Sequence, residues 1–472
     1  MSSFAPLPEL DADLLQKYDR AGPRYTSYPT APAFHDGFKS SDFADALAGK
    51  KPVSLGSSSS NVSLYFHIPY CDTLCFFCGC NMIVSNNRER IARYLDYLIQ
   101  EIELNASFLQ PGRKLEQLHW GGGTPTHLNP DEIRKLGDAI HSSYSLAADF
   151  EGSCEVDPRE LTEGHLSALR DVGFHRISLG LQDLNPAVQK AVNRVQSLEL
   201  TNGIVQNARS LGFDSVNIDL IYGLPLQTID SFAATLEQVL EMQPDRIALF
   251  NFAYLPQMFK HHSVIYPEDL PSAGEKLEIL TRSVQRICSR GYRFVGMDHF
   301  AKQSDELSRA QDHGDLYRNF QGYSTKKGLD LIAHGITGIS QVGRTYSQSL
   351  KTEKEYFEAL DSGTLPVLRG YELTDDDLIR RHVITELMCH FFLGFDRFKR
   401  EMDQDFQQYF RAELEETGRG SLQSMQSDGL LKIRDTGLEV QPVGRFLIRN
   451  IAMCFDAHLP RASTGAGYSR TI

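Results

Sequence analysis

Cys71, Cys75 and Cys78 form a Cys-x₃-Cys-x₂-Cys run inside the segment Tyr65-Phe66-His67-Ile68-Pro69-Tyr70-Cys71-Asp72-Thr73-Leu74-Cys75-Phe76-Phe77-Cys78-Gly79-Cys80. A cubane iron–sulfur cluster is ordinarily held by four thiolates. Three from one short loop leave one iron without a protein ligand, and an open iron can chelate a small molecule and pass it an electron. Structural zinc is the competing reading. It needs four ligands, usually from two separated knuckles. No second Cys-x₂-Cys occurs here, and the one candidate fourth thiol, Cys80, is reachable only if the chain turns sharply at Gly79. The cluster is favoured. Tyr70, Phe76 and Phe77 are expected to line it, shielding it from water and helping to set its potential.

The bulk sequence agrees with this. Of eight cysteines in 472 residues, four lie within residues 71–80, and such clustering argues for ligation in a reducing, cytoplasmic compartment over disulfides. Cys288 falls on an apolar helix face as a buried, inert thiol, and Cys154, Cys389 and Cys454 are isolated. No run approaches the ~18 apolar residues of a membrane span, and the start shows no secretory signal. The net charge of −13 argues against a nucleic-acid partner, so an acidic substrate would need local arginines for its capture.

To hold the cysteine loop, the chain must supply a scaffold. Apolar, β-prone runs at Val62–Ile68, Leu115–Trp120, Ser153–Val156, His175–Leu179, Val216–Ile221 and Ile247–Phe252 alternate with helical stripes such as Ile91, Tyr94, Leu95, Leu98, Ile99 and Ile102. Six βα repeats imply parallel strands with right-handed crossovers, in a doubly wound sheet or a barrel. Polar or Gly-rich turns follow several strands, the site-bearing ends of barrel enzymes, and this favours an α/β barrel. Residues 1–55 read as an irregular aromatic arm or lid, with prolines at 23, 29 and 32 opposing a helix and Ser57–Ser60 as a linker. Residues 56–365 read as the barrel. Residues 366–472 read as a small, mostly helical, winged-helix-like domain, with helices at Asp375–Phe392 and Phe395–Leu414 and a hairpin over Leu430–Val440. A cap is the better reading of that module than a DNA binder, because it is not markedly basic.

The turn Gly121-Gly122-Gly123-Thr124-Pro125 lets backbone amides approach a ligand, although a tight strand-to-helix turn explains it equally. It lacks the Gly-Lys-Ser/Thr ending of a phosphate loop. Beside an open iron, the amino and carboxylate groups of an amino-acid cofactor are natural guests.

With the cysteine run and the glycine turn, the chain resembles the radical S-adenosylmethionine superfamily. Further motifs are Cys78-Gly79-Cys80, Asn193-Arg194, Asn217-Ile218-Asp219-Leu220-Ile221-Tyr222-Gly223-Leu224-Pro225, Gly296-Met297-Asp298-His299-Phe300 and Arg318-Asn319-Phe320-Gln321-Gly322-Tyr323. These resemble the HemN-type family of oxygen-independent coproporphyrinogen III oxidases, from the Gly22–Thr30 arm to the closing Tyr468-Ser469-Arg470-Thr471-Ile472. One departure is Val195, where the family pattern leads one to expect an acidic residue.

The resemblance implies a partial (β/α)₆ barrel with an N-terminal arm and a C-terminal helical domain. It implies a [4Fe–4S] cluster on Cys71, Cys75 and Cys78, with Cys80 close but not a ligand, and two S-adenosylmethionine molecules. The first would be held by Tyr65, Gly122, Glu155, Ala253 and Ile339. The second would contact Phe77, Gly123, Thr124, Gln182, Arg194 and Asp219, with Phe320 and Gln321 nearby; rim polarity alone would also account for Gln182 and Asp219. The implied activity is anaerobic oxidative decarboxylation of two propionates of coproporphyrinogen III to vinyl groups, giving protoporphyrinogen IX in haem biosynthesis, through a 5′-deoxyadenosyl radical. An unidentified reductant and terminal electron acceptor would serve a cytoplasmic monomer with no membrane insertion. The alternative is a haem-binding or haem-trafficking relative, against which Cys80 and the Arg318–Tyr323 block speak. Arg24 in the arm is a candidate for substrate capture or gating, because a guanidinium pairs carboxylates bidentately; a surface salt bridge is the plainer reading.

Overall fold

The computed structural model describes residues 12–52, 61–162, 164–459, 468 and 470–471. The Ser57–Ser60 linker and, of the closing pentapeptide, Ser469 and Ile472 lie outside the described residues. Contacts divide the chain into two compact units, one of Met1–Ala33, Pro271–Lys327 and Leu373–Ile472, the other of Phe34–Leu270 and Gly328–Glu372.

The second unit carries six parallel strands: β1 (Val62–Ile68), β2 (Leu115–Gly122), β3 (Leu146–Val156), β4 (Arg176–Gln182), β5 (Ser215–Tyr222) and β6 (Arg246–Asn251). They neighbour one another in chain order. That is the singly wound arrangement of a partial (β/α)₆ barrel; a doubly wound sheet would reverse its order at a switch point. Asp330–His334 pairs parallel to the free side of β1 and is followed by antiparallel strands Ile339–Val342, Thr345–Ser349 and Val367–Glu372.

Side-chain alternation explains the layering. Leu64, Phe66, Leu118, Trp120, Ile177, Leu179, Val216 and Ile218 are fully buried. Each such side chain contributes about 1.5–3 kcal/mol on leaving water. Trp120 packs edge-on against Phe174, with ring centres 4.8 Å apart. The intervening positions Tyr65, His119, Glu155, Ser178, Asn217 and Asp219 are only half-buried, so the inner face of the strands is polar. Helices start where capping side chains permit: Asn87 accepts from Arg90 N, Asn129 from Asp131 N and Glu132 N, Ser197 from Leu200 N and Thr228 from Ser231 N.

Two sequence expectations fail here. The strand expected at Ser153–Val156 begins at Leu146, because alternation in its early residues is masked by Ala-Ala-Asp. The arm is not wholly irregular: Ala12–Tyr18 and Ser40–Leu47 are helices. In the second, the Asp42 carboxylate accepts from Lys39 N at 2.9 Å, and Phe43, Ala46 and Leu47 are buried.

In the first unit the long helix Asp375–His390 opens on a reciprocal cap between Thr374 and Asp377 and ends at Phe391, φ 57°. Phe392–Gly394, Gly437–Val440 and Leu431–Arg434 form a small antiparallel sheet that contains the expected hairpin. The single helix expected over Phe395–Leu414 is instead three: Phe395–Met402, Phe406–Tyr409 and Arg411–Glu415. Asp403 takes a left-handed φ of 53°, and Asp405 caps the next turn by accepting from Gln408 N. The residues around Gly22 are fastened to the chain's end: buried Arg449 donates to the carbonyls of Pro23 at 2.9 Å, Arg470 at 2.8 Å, and Gly22. No helix among the described residues is long and apolar enough to cross a membrane.

Candidate active site

On β1, Tyr65 and His67 share the inner face. The His67 Nε2 lies 2.8 Å from the Asn81 carbonyl, which can only accept, so this nitrogen carries the proton. Nδ1 is then free to accept from the Tyr65 hydroxyl at 3.1 Å. Asn81 closes the cysteine loop, so the barrel wall fixes the loop's far end. Register places Tyr65 opposite His119, and the rings stack at 5.9 Å. His119 in turn stands 3.7 Å from the Glu155 carboxylate, which accepts from Gly122 N at 3.2 Å. Burial acts to raise the Glu155 pKa, but His119 and the Gly122 amide hold it below the ordinary value. Asp219 on β5 goes the other way: burial, then the charge of Glu155, pushes it up to about 7 despite bonds from Asn217 and Ser178.

The cysteine loop is tethered along its length. Ile83 N donates to Pro69 O at 2.7 Å and Ser85 N to Cys71 O at 3.2 Å. Asn193 Nδ2 donates to Leu74 O at 2.8 Å, Phe76 N to Val192 O at 2.9 Å, and His261 Nε2 to Cys78 O at 2.6 Å. The glycine turn presses on the loop's start. Gly122 has a φ of 120°, and a Cβ on Gly123 would fall 2.5 Å from Pro69 O and 2.8 Å from Tyr70 O. Gly123 N and Thr124 N donate to Ile68 O and Tyr70 O, both at 2.8 Å. Both amides are therefore engaged by the protein itself. The turn acts by letting two chain segments touch.

Every one of the three thiols receives a donor. Thr124 Oγ1 lies 3.4 Å from Cys71 Sγ, and Cys80 N lies 3.4 Å from Cys78 Sγ. Cys75 Sγ is met by Arg159 Nη2 at 3.4 Å and Arg194 Nη1 at 3.6 Å. Both arginines are clasped by buried Asp157, at 2.7 and 2.9 Å. Burial opposes ionisation of Asp157, but the two guanidinium groups lower its pKa. Among the described residues, the sulfurs of Cys71, Cys75 and Cys78 do not gather within 4.8 Å of one another. Tetrahedral zinc, with bonds of about 2.3 Å, needs sulfurs about 3.8 Å apart. The donor set fits a polynuclear cluster, whose ligand sulfurs accept hydrogen bonds, better than a single ion.

Phe76 and Phe77 pack on an apolar cluster of Val188, Val192, Leu224, Phe252 and Ile265. Tyr70 does not join them: it is fully buried, donates to Glu353 and packs edge-on to Tyr94. Cys288 is half-buried, less enclosed than its helical position implied. Gln182 is the last residue of β4, at φ 64°, and Asp219 lies inside β5. Gln182 Oε1 and Arg194 Nε are buried without a protein partner. Ala253 follows β6, and Ile339 opens its antiparallel strand. Val195 is exposed. Phe320 and Gln321 belong to the first unit, in the turn between Tyr317–Asn319 and Gly322–Ser324. Arg24, in the same unit, is paired with Asp298. Sequence reasoning missed Arg159, His67 and His119; the i, i+2 spacing of His67 from Tyr65 was the available signal for one of them.

Residues 65–239 match the model of the radical SAM superfamily, and residues 373–447 that of the HemN C-terminal domain. The chain is 45% identical over 452 residues to an oxygen-independent coproporphyrinogen III oxidase of Pseudomonas aeruginosa, covering 95% of this chain and 96% of that one. It is also 45% identical to the protein of that name from Escherichia coli strain K12, covering 98% of each. The solved structure described as coproporphyrinogen III oxidase (HemN) from Escherichia coli, a radical SAM enzyme, superposes with a TM-score of 0.88 at 43% identity, covering 96% of this chain and all of that one. On full-length identity, shared fold and both family signatures, this chain belongs to the oxygen-independent coproporphyrinogen III oxidase family of radical SAM enzymes.

Proposed function

We propose that the chain oxidatively decarboxylates two propionates of coproporphyrinogen III to vinyl groups, yielding protoporphyrinogen IX for haem biosynthesis. It is an oxidoreductase that uses a [4Fe–4S] cluster and S-adenosylmethionine. When bound, these groups supply the one-electron chemistry that removes hydrogen from the propionate. The observation that carries the reading is a trio of thiols, each met by a protein donor, in a chain that matches named oxidases along its length. The relatives compared are named as oxidases, which disfavours the haem-trafficking alternative.

The finer assignments are part of the proposal. Cys71, Cys75 and Cys78 hold the cluster, and Cys80 donates its amide to Cys78 without ligating. One S-adenosylmethionine meets Tyr65, Gly122, Glu155, Ala253 and Ile339. Ionised Glu155, held low by His119, suits a cationic amino group. A second meets Phe77, Gly123, Thr124, Gln182, Arg194 and Asp219; the unpartnered Gln182 Oε1 and Arg194 Nε support polar company there. The domain reading is an arm at 1–55, a barrel at 56–365 and a C-terminal module at 366–472, acting as a cytoplasmic monomer with a separate reductant and electron acceptor. Arg24 remains the arm's candidate for substrate capture.

The test is anaerobic incubation of reconstituted protein with coproporphyrinogen III, S-adenosylmethionine and a strong reductant. Release of two CO₂ per protoporphyrinogen formed is expected. Tight haem binding with no CO₂ would overturn the reading.

A further inference from the structure

Arg159 stands outside every motif that points to the family, yet it reaches the most deeply buried of the three thiols. It sits in the 3-10 turn Pro158–Glu160 beyond β3, a turn set by Asp157 accepting from Arg159 N at 3.0 Å. Its Nε and Nη2 are fixed on the Asp157 carboxylate at 3.0 and 2.7 Å, and the same Nη2 lies 3.4 Å from Cys75 Sγ. Arg194 approaches that sulfur from its own bond to Asp157. Cys71 and Cys78 receive only neutral donors, the Thr124 hydroxyl and the Cys80 amide. Of the three, Cys75 is the sulfur that guanidinium groups reach directly, at 3.4 and 3.6 Å, and two such groups share the single carboxylate of Asp157.

Reducing a cluster adds negative charge to it. A hydrogen bond and a positive charge at a ligand sulfur stabilise the reduced form more than the oxidised one, and the more so where solvent is excluded. We propose that Arg159, locked in place by Asp157, is a positioning residue that acts through Cys75 to raise the reduction potential of the cluster. The inference rests on Cys75 being a cluster ligand. Asp157 is its counterweight, limiting how far the two arginines push the potential upward.

The test is a potentiometric titration of the anaerobically reconstituted full chain, without S-adenosylmethionine, following the electron paramagnetic resonance signal of the reduced cluster. Arg159→Gln is expected to lower the reduced-to-oxidised ratio at a fixed potential at least tenfold, which is about 59 mV for a one-electron couple. Arg159→Lys should fall between Arg159→Gln and the native protein. Asp157→Asn should shift the couple in the opposite direction, which general loosening of the loop would not do. An unchanged potential in Arg159→Gln overturns the proposal, as does a shift of the same sign in Arg159→Gln and Asp157→Asn. If Arg159→Gln assembles no cluster, Asp157→Asn decides: a more positive couple supports the proposal, and an unchanged or more negative one overturns it. Cys75→Ser separates the two readings. A cluster retained in Cys75→Ser removes the ligand assignment and the inference with it, whereas a cluster lost there, beside an unshifted Arg159→Gln, removes the inference alone.

Discussion

Gly123→Ala isolates the contact that holds the cysteine loop against the barrel. The added carbon would sit 2.5 Å from the carbonyl oxygen of Pro69 and 2.8 Å from that of Tyr70. Both atoms are backbone, at the entry to the loop, and neither can rotate away. Carbon and oxygen normally stay ~3.2 Å apart or more, so one segment must retreat by roughly 0.5 Å or more, and overpacking of this kind costs about 1–3 kcal/mol. The same retreat lengthens the bonds from Gly123 N to Ile68 O and from Thr124 N to Tyr70 O, now 2.8 Å each. It also pulls the Thr124 hydroxyl from Cys71 Sγ. Iron and sulfide content after reconstitution should therefore fall, together with the melting temperature. Gly121→Ala is the internal comparison, since its carbon meets the Glu155 carboxylate at 2.9 Å, a side chain able to turn. It should keep the fold and cluster while weakening S-adenosylmethionine binding. Gly203, inside the helix Leu198–Ser210, has nothing within 4 Å, so Gly203→Ala should stabilise by about 0.5–1 kcal/mol. A Gly123→Ala protein with native cluster content and melting temperature would refute the packing argument.

Other perturbations test separate links. Cys71→Ser should give protein without the broad visible absorption of an iron–sulfur centre, and retained absorption with activity would contradict the ligand assignment. Asp219 ionises from a pKa of about 7 in the folded chain against 3.8 unfolded, so the folded state binds the extra proton. Its favourable contribution is complete below pH ~4 and is lost as the pH rises through ~7. The loss is at most about 4 kcal/mol at ~1.4 kcal/mol per pH unit, and less because solvent reaches this half-buried side chain. The melting-temperature gain of Asp219→Asn should therefore widen from pH 5 to pH 8, and a constant difference would count against it. Arg449→Met leaves three carbonyls of Gly22, Pro23 and Arg470 without their donor. It should cost about 1–3 kcal/mol for each carbonyl that stays buried and unsatisfied and open the arm to proteolysis; native resistance would show that the arm is held by other contacts.

Most strands were legible because they carry their own signal: Val62–Ile68 places Val62, Leu64, Phe66 and Ile68 on one face, and β5 alternates through Val216, Ile218, Leu220 and Tyr222. Where the C-terminal helix breaks, the signal was also present, in Asp403 and Asp405, two residues that favour caps and turns over helix interiors. The apolar residues on either side concealed it. In the site, Cys71, Cys75 and Cys78 declare themselves by spacing, but the groups that act on their sulfurs do not. Arg159 is separated from Cys75 by 84 positions, and only the neighbouring of β3 with the loop's support brings them together. His119 gained meaning from register, opposite Tyr65 and beside Glu155, and a lone histidine in a strand carries no such information. The glycine turn was seen but its action was open, because a run of glycines does not say whether a ligand or another stretch of chain comes close. Here it is Pro69 and Tyr70.

The most direct probe of the open-iron account is magnetic coupling between the reduced cluster and S-adenosylmethionine isotopically labelled in its amino nitrogen and carboxylate oxygens. Electron–nuclear double resonance on the reconstituted chain should show strong hyperfine coupling to both labels, placing them on the iron that no cysteine occupies. Couplings absent from both labels, in protein with full iron and sulfide content, would contradict it.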